Sequence, residues 1–173
     1  MKIALTGTPG TGKTSLGKKL AHQMGIPFLD TKRIILRERL YRVNKSEKEK
    51  TVSLEKLEKS LREKLKKKKD GVLESHLLCE FTLPIDVIVV LRCDPNVLES
   101  RLKKRRYPAS KIRDNLLCEA LDYVTQKAEG NYPKARILEV DTTTKITAGK
   151  LALKIQSKKS DRVNWSSWLE QNV

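Results

Sequence analysis

The segment that most constrains this chain is residues 7–14, which reads Gly-Thr-Pro-Gly-Thr-Gly-Lys-Thr. It matches the phosphate-binding pattern in which two glycines, a Gly-Lys pair and a hydroxyl residue stand at fixed spacing. The glycines let successive backbone N–H groups point inward at a phosphate. Lys13 adds a positive charge that can reach the outer phosphates, and the Thr14 hydroxyl is placed to bind magnesium. The segment therefore predicts a nucleoside triphosphate site.

The residues on either side of this loop predict the structural context that such a site needs. Residues 2–5, a lysine followed by three apolar residues, indicate a short buried strand, and residues 15–25 carry Leu16, Leu20 and Met24 at helical spacing. A helix that begins at the loop adds the partial positive charge of its N-terminus to the anion site. Strand, loop and helix follow one another in the required order.

The rest of the chain alternates between apolar runs and amphipathic segments. Further strands are predicted at residues 26–30, 72–73, 86–91 and 136–140. Asp30 or Thr31 can cap a helix that reaches residue 40, Ser110 can open a long helix through residue 124, and Asp161 can start a final one. Residues 41–52 have little apolar content and predict a mobile, charged arm. This alternation favours a parallel sheet covered on both faces, with ligands at the carboxyl ends of its strands.

Two further groups of residues are candidates for the chemistry. Glu74 and His76 follow the strand at residues 72–73, where a phosphate-loop enzyme places an acid that orients magnesium or the attacking group. His76 can position an acceptor or a water, and a structural histidine explains it equally well. Arg101 and Arg105 are four residues apart, so they share a helix face and could hold a phosphate chain. A solvated basic face is the alternative.

The net charge of +16 is concentrated in two stretches. Residues 30–69 hold sixteen Lys/Arg against seven Asp/Glu, and residues 101–113 hold seven Lys/Arg and no acid. A phosphate-handling enzyme needs part of this charge, and the surplus makes a polyanionic partner such as RNA plausible. The lysines at residues 66–69 could instead complement the dipole of the helix that they end.

Length and cysteine usage set further bounds. The 173 residues predict one domain, spanning 1–173. The three cysteines have no paired spacing, which favours reduced thiols and a cytoplasmic location. Because no apolar run approaches the length of a bilayer span, we expect no membrane association.

Together these motifs resemble the nucleoside monophosphate (NMP) kinase superfamily. More narrowly the chain is similar to the CINAP-type adenylate kinases, the isoenzyme 6 branch, in their archaeal form. The resemblance is carried by the approach to the loop at residues 5–10, by Glu74 with His76, and by Arg105 with Tyr107 ahead of residues 114–115. It implies an α/β fold of the P-loop NMP-kinase type, a three-layer sandwich with a five-stranded parallel sheet. It also implies a short NMP-binding arm at about residues 30–52 and a short lid at about residues 104–114.

The same resemblance implies a set of roles. Family members act as adenylate kinases, converting ATP and AMP to two ADP with Mg²⁺, and as ATPases. They associate with ribosomal protein uS11 during maturation of the small ribosomal subunit and processing of its precursor rRNA. The implied catalytic residues are Lys13, Glu74, His76 and Arg105, with Thr14 and Glu74 as metal ligands. The implied ATP contacts are Gly10, Gly12, Lys13, Thr14, Ser15 and Arg105.

The chain departs from the family pattern at three positions. Glu74 stands where the family usually has aspartate, and Arg106 stands where a glycine usually precedes the tyrosine. The arginine expected to hold the monophosphate falls near Leu36, which leaves Arg33 or Arg37 as NMP-binding substitutes. Two other functions are therefore alternatives to adenylate kinase activity. One is an ATPase that acts as an assembly switch, binding uS11 and rRNA with little kinase activity. The other is a metabolite kinase of the same superfamily.

Overall fold

Five parallel strands form the central sheet, and each corresponds to one of the apolar runs in the sequence. The computed structural model describes residues 1–43 and 50–173 of the chain. The strands of the sheet are β1 (Lys2–Gly7), β2 (Phe28–Asp30), β5 (Gly71–Glu74), β6 (Val87–Arg92) and β7 (Arg136–Asp141). Within the described ranges their order in the sheet is β2-β5-β1-β6-β7. The predicted five-stranded parallel sheet is confirmed.

Helices cover both faces of this sheet. They are α1 (Lys13–Met24), α2 (Thr31–Arg37), α3 (Leu54–Lys66), α4 (Pro95–Lys104), α5 (Ala109–Ala120), α6 (Tyr123–Asn131), α7 (Ala148–Ser157) and α8 (Ser166–Asn172). One face of the sheet buries Ala4 and Ile88 against α3 and α6, and the other buries Ile3 and Val89 against α1 and α7. Alternate residues of a strand point to opposite faces, so two apolar cores follow from strands that are apolar throughout. The predicted three-layer α/β sandwich is confirmed.

The region after α2 differs from the prediction. The helix ends at Arg37 rather than near residue 40, and Arg39 adopts a left-handed φ of 52° that turns the chain. The predicted arm then begins and ends in two short antiparallel strands, β3 (Tyr41–Val43) and β4 (Lys50–Val52). Strand pairing supplies order here that the polar sequence did not indicate. The middle of the arm, residues 44–49, lies outside the described residues.

The long helix predicted from Ser110 is divided in two. Asp122 adopts a left-handed φ of 54° between α5 and α6, and its carboxylate accepts a hydrogen bond from the Arg92 guanidinium. The last helix also begins later than predicted, at Ser166. The Asp161 carboxylate accepts from the backbone N–H of Asp141 and pairs with a lysine of α7, so it does not cap α8.

Strand register brings the two predicted functional segments together. Leu5 of β1 lies opposite Glu74 of β5, so the loop after β1 and the residues after β5 emerge at the same edge of the sheet. A short 3₁₀ helix, His76–Cys79, follows β5 directly. Among the described residues, no helix has both the length and the apolar character required to cross a bilayer.

Candidate functional site

The loop at residues 7–14 depends on glycine at two positions that line the site. Gly10 has a φ of +100°, and a Cβ there would lie 2.7 Å from Cδ1 of Leu98. Gly12 has a φ of +94° and is the residue from which α1 begins. A side chain at either position would be strained, because residues with a Cβ rarely adopt such φ values.

Lys13, the first residue of α1, directs its ammonium back over this loop. Its Nζ donates hydrogen bonds to the carbonyl oxygens of Gly7 at 2.8 Å and Thr8 at 2.9 Å. Burial lowers the pKa of Lys13 to about 8, while the negative charges of Glu74 and Glu119 act in the opposite direction. The loop therefore holds a desolvated cation where a phosphate chain could replace the carbonyl contacts.

Thr14 and Glu74 form an oxygen pair beside this ammonium. The Thr14 hydroxyl donates to Oε1 of Glu74 at 3.1 Å. Hydroxyl and carboxylate oxygens fit Mg²⁺, which usually keeps several waters and binds through one or two protein oxygens plus substrate phosphates. No group of three His, Cys, Asp or Glu side chains suited to a metal occurs in residues 1–43 and 50–173. A Mg²⁺ ion held by Thr14 and Glu74 would complete its coordination with waters and with phosphate oxygens of a nucleotide.

His76 lies in the same cavity, at the start of the 3₁₀ helix. Burial is the main cause that lowers the pKa of His76 to about 4, and the Lys13 charge lowers it further. Glu80 opposes both effects. The imidazole is therefore neutral near pH 7, with one nitrogen able to donate a hydrogen bond and the other able to accept one.

These side chains line one cavity of about 740 Å³. Arg105 and Tyr107, which follow α4, line it as well. The predicted site residues that the structure brings together here are Gly10, Gly12, Lys13, Thr14, Ser15, Glu74, His76 and Arg105. The side toward α2 and the arm strands is formed by Lys32, Ile35, Leu36, Tyr41 and Val52. The cavity thus extends from the phosphate loop to the predicted arm.

Three arginines from the sequence interpretation lie elsewhere. Arg33 and Arg37 line two grooves beside α2 and not the main cavity, whereas Lys32 lines both the main cavity and one of these grooves. The guanidinium of Arg101 donates to the carbonyl oxygens of Thr142 and Thr143 at 2.7 and 3.1 Å. Arg101 therefore binds the loop after β7 and does not line the cavity with Arg105.

Sequence reasoning missed a buried charge network behind the phosphate loop. Arg92 and Glu119 are each 2% exposed, and Nε of Arg92 donates to Oε1 of Glu119 at 2.8 Å. The other carboxylate oxygen of Glu119 accepts from the Thr8 hydroxyl at 2.6 Å. One signal was available: Glu119 lies three residues after the inward-facing Leu116, so helical spacing places an acid on the buried side of α5.

Comparison with known proteins identifies relatives over most of the chain. The family described as AAA domain matches residues 3–122. A protein of Methanocaldococcus jannaschii is 35% identical over 146 residues, which cover 84% of this chain and 78% of the relative. A protein of Pyrococcus furiosus is 36% identical over 145 residues, covering 84% and 77%. Both relatives are described as "Putative adenylate kinase".

Solved structures with the same fold include kinases of several substrates. Shikimate kinase from Acinetobacter baumannii has a TM-score of 0.61 at 22% identity and covers 91% of each chain. Deoxyadenosine kinase from M. mycoides has a TM-score of 0.57 at 18% identity, covering 92% of this chain and 100% of that one. These structures support the fold, and the archaeal relatives support nucleotide kinase activity. By its sequence the chain belongs to the same P-loop kinase family as these archaeal adenylate kinase homologues.

Proposed function

We propose that this chain is an adenylate kinase that transfers the terminal phosphoryl group of ATP to AMP, producing two ADP. The observation that carries the proposal is the single cavity lined by the phosphate loop, Glu74, His76 and Arg105. In phosphoryl transfer the protein mainly positions the reactants and neutralises charge, and these residues supply both functions. The archaeal relatives add support for the nucleotide class.

On the donor side, the loop amides and Lys13 bind the phosphates of ATP. The Lys13 ammonium exchanges its contacts with the carbonyl oxygens of Gly7 and Thr8 for phosphate oxygens. Gly10, Gly12, Thr14 and Ser15 complete the ATP contacts. Arg105 contacts the phosphoryl group during transfer, because a guanidinium stabilises the negative charge spread over the equatorial oxygens of that group.

Transfer breaks the bond between the terminal phosphorus and the bridging oxygen of ATP. A new bond forms from a phosphate oxygen of AMP to the same phosphorus, and ADP leaves with the bridging oxygen. Mg²⁺, held through Thr14 and Glu74, would neutralise charge on the ATP phosphates. His76, neutral at pH 7, orients the acceptor by hydrogen bonding. A water in place of AMP would give the ATPase activity.

The acceptor side is formed by α2 and the arm strands. We propose that residues 30–52 are the NMP-binding arm and residues 104–114 the lid of a single domain spanning residues 1–173. Arg33 and Arg37 remain candidates for the AMP phosphate, and Lys32 joins them because it already lines the cavity. The three free thiols fit the cytoplasmic location that we propose.

The test is ADP formation from ATP and Mg²⁺, measured with and without AMP. We expect a large AMP-dependent rate in the native chain and its loss in Lys13→Ala. Lys19→Ala is the matched control, since Lys19 is exposed on the same helix and lies outside the cavity lining. Near-native turnover in Lys13→Ala would contradict the proposed site, and a slow rate that ignores AMP would contradict the proposed acceptor.

A second function is favoured by the distribution of positive charge. Lys66, Lys67 and Lys69 are exposed at the end of α3, and Arg105 and Arg106 are exposed after α4. This charge exceeds what one nucleotide requires, which supports binding to a polyanion such as RNA. The resemblance to the CINAP-type kinases implies the identity of these partners: small-subunit precursor rRNA and ribosomal protein uS11. In this role the chain would act as an assembly factor, and ATP hydrolysis would change its affinity for these partners.

Salt dependence tests the RNA part of this function. We expect affinity for a small-subunit precursor rRNA fragment to fall steeply between about 50 and 200 mM salt. Reversing Lys67 and Lys69 to glutamate should weaken binding, whereas reversing the exposed Lys158 and Lys159 serves as the charge-matched control. Equal affinity in the two double variants would exclude the end of α3 as the contact surface.

A further inference from the structure

The phosphate loop is attached to the rest of the fold through a side chain outside the cavity. The hydroxyl of Thr8, the second residue of the loop, donates a 2.6 Å hydrogen bond to Oε2 of Glu119 on α5. Thr8 is 1% exposed and Glu119 is 2% exposed. A hydrogen bond between a hydroxyl and a buried carboxylate is a strong, directional contact. It joins residues that are 111 positions apart in the sequence.

The carboxylate of Glu119 is itself held in place by the sheet. Its Oε1 accepts from Nε of Arg92 at 2.8 Å and from the backbone N–H of Cys93 at 3.1 Å. A second guanidinium nitrogen of Arg92 donates to the backbone carbonyl oxygen of Glu119 at 3.0 Å. Because one oxygen is fixed by the end of β6, the other is presented to Thr8 in a defined position.

The charge of Arg92 is balanced by more than one carboxylate, so its neutralisation does not depend on Glu119 alone. Its guanidinium also forms ion pairs with Asp122, after α5, and with Glu139 on β7. Burial acts to lower the pKa of Arg92, whereas the charge and hydrogen bond of Glu119, followed by the hydrogen bonds to Asp122 and Glu139, raise it above its ordinary value. A neutral side chain at position 119 would therefore leave Arg92 with two carboxylate partners.

The backbone carbonyl of Thr8 holds two other residues of the phosphate loop. Its oxygen accepts from the Lys13 ammonium at 2.9 Å and from the Thr11 hydroxyl at 2.9 Å. The side chain of Thr8 thus faces Glu119, while its carbonyl oxygen holds the Lys13 ammonium until phosphate oxygens replace this contact. A displacement of Thr8 would be transmitted to both contacts.

We infer that Glu119 is a positioning residue for nucleotide binding, which holds the phosphate loop in its binding conformation through the Thr8 hydroxyl. This inference rests on the proposed function, because it assumes that the loop binds the ATP phosphates. Glu119 does not touch the nucleotide, since it lies behind the loop and does not line the cavity. It also ties the loop to α5, the helix whose first turns belong to the proposed lid.

The test replaces the hydroxyl of Thr8 and leaves the buried charges intact. Thr8→Val removes the donor with little change of shape, and Thr8→Ser keeps the donor. We expect Thr8→Val to raise the KM for ATP, and the Kd for a non-hydrolysable ATP analogue with Mg²⁺, by about tenfold. Thr8→Ser should remain within about twofold of the native values, since it can still bond to Glu119.

A second variant covers the possibility that Thr8→Val does not fold. Glu119→Gln can keep the contacts to Arg92 and Cys93 through its amide oxygen, and its NH₂ group can reach Thr8 only by a weaker, neutral hydrogen bond. We expect a rise in the ATP KM between those of the two Thr8 variants. Melting temperatures without nucleotide, recorded for every variant, separate a loss of folded protein from a loss of affinity.

The outcomes distinguish this inference from the function on which it rests. If the native chain neither binds nor consumes ATP, the proposed function is wrong and the inference is wrong with it. If the native chain is active and Thr8→Val matches Thr8→Ser in KM and Kd, only the inference is overturned. A lower melting temperature with unchanged KM would also overturn it, since Glu119 would then stabilise the fold without positioning the loop.

Discussion

The hydroxyl of Thr14 lies 3.1 Å from Oε1 of Glu74, although sixty residues separate the two in the sequence. Thr14 belongs to the phosphate loop after β1, and Glu74 ends the neighbouring strand β5. The parallel pairing of these strands places both oxygens at one edge of the sheet, beside the Lys13 ammonium. The arrangement suits a cation that is shared between the protein and the phosphates of a nucleotide.

Glu74→Gln tests this pair. We expect a 10- to 100-fold lower kcat for ADP formation, because a neutral amide is a weaker partner for the magnesium coordination shell. Activity should also require added Mg²⁺ and should stop in excess EDTA. Glu63→Gln is the matched control, since Glu63 is an exposed acid on α3 that pairs with Lys66 away from the cavity. Equal kcat values in the two variants would contradict a metal role for Glu74.

The buried ammonium of Lys13 predicts a pH dependence of stability in the protein without metal or nucleotide. Its pKa is about 8 in the folded chain against an ordinary value of 10.5. Between these values the unfolded chain binds more protons, so the free energy of unfolding rises with pH. Below about pH 8 the full cost of burying the charge is present, and above about pH 10.5 it is absent.

Lys13→Met provides the reference for this measurement, because the other titrating groups cancel in the difference. Urea unfolding of both chains from pH 7 to pH 10.5, in EDTA, gives the free energy of unfolding at each pH. The native chain should gain stability relative to Lys13→Met as pH increases through this window. A difference that is constant with pH, or that falls, would contradict the lowered pKa.

Much of the fold could be predicted from the sequence because its strands are short apolar runs beside strong helix signals. The residue pattern Asp94-Pro95 is such a signal, and the Asp94 carboxylate caps α4 by accepting from the backbone N–H of Asn96 at 2.9 Å. The arm strands could not be predicted, since their order comes from pairing with each other and their residues are mostly polar. The break at Asp122 also depends on a distant residue, Arg92.

The candidate site could be predicted wherever it follows directly from strand ends. The loop and Glu74 meet because parallel strands place their carboxyl ends together. The contact between Thr8 and Glu119 could not be predicted, since no local pattern links residues 111 positions apart. The sequence pattern also could not predict the orientation of α2. Arg33 and Arg37 are four residues apart and share a helix face, but the spacing does not show that this face lies outside the main cavity.

Arg105 and its neighbour Arg106 form a natural pair of test positions. Arg105 lines the cavity, whereas Arg106 does not and adopts a left-handed φ of 57°. We expect Arg105→Ala to lower kcat/KM for ATP by about 100-fold, since it removes a charge that acts on the group in transit. Arg106→Ala removes the same charge nearby and should stay within about threefold. Similar losses in both variants would indicate a general electrostatic effect of the lid.

The AMP side of the cavity is tested by three basic residues of α2. If AMP binds in the conformation described here, Lys32→Ala should raise the KM for AMP about tenfold, because Lys32 lines the cavity. Arg33→Ala and Arg37→Ala should then have small effects, as both line grooves beside the helix and not the main cavity. The opposite ranking would mean that α2 and the arm rotate when AMP binds, which brings the two arginines to the phosphate.

For all three variants the KM for ATP should change little, since the donor phosphates bind at the loop. A parallel loss of ATP affinity would contradict separate donor and acceptor sides in this cavity.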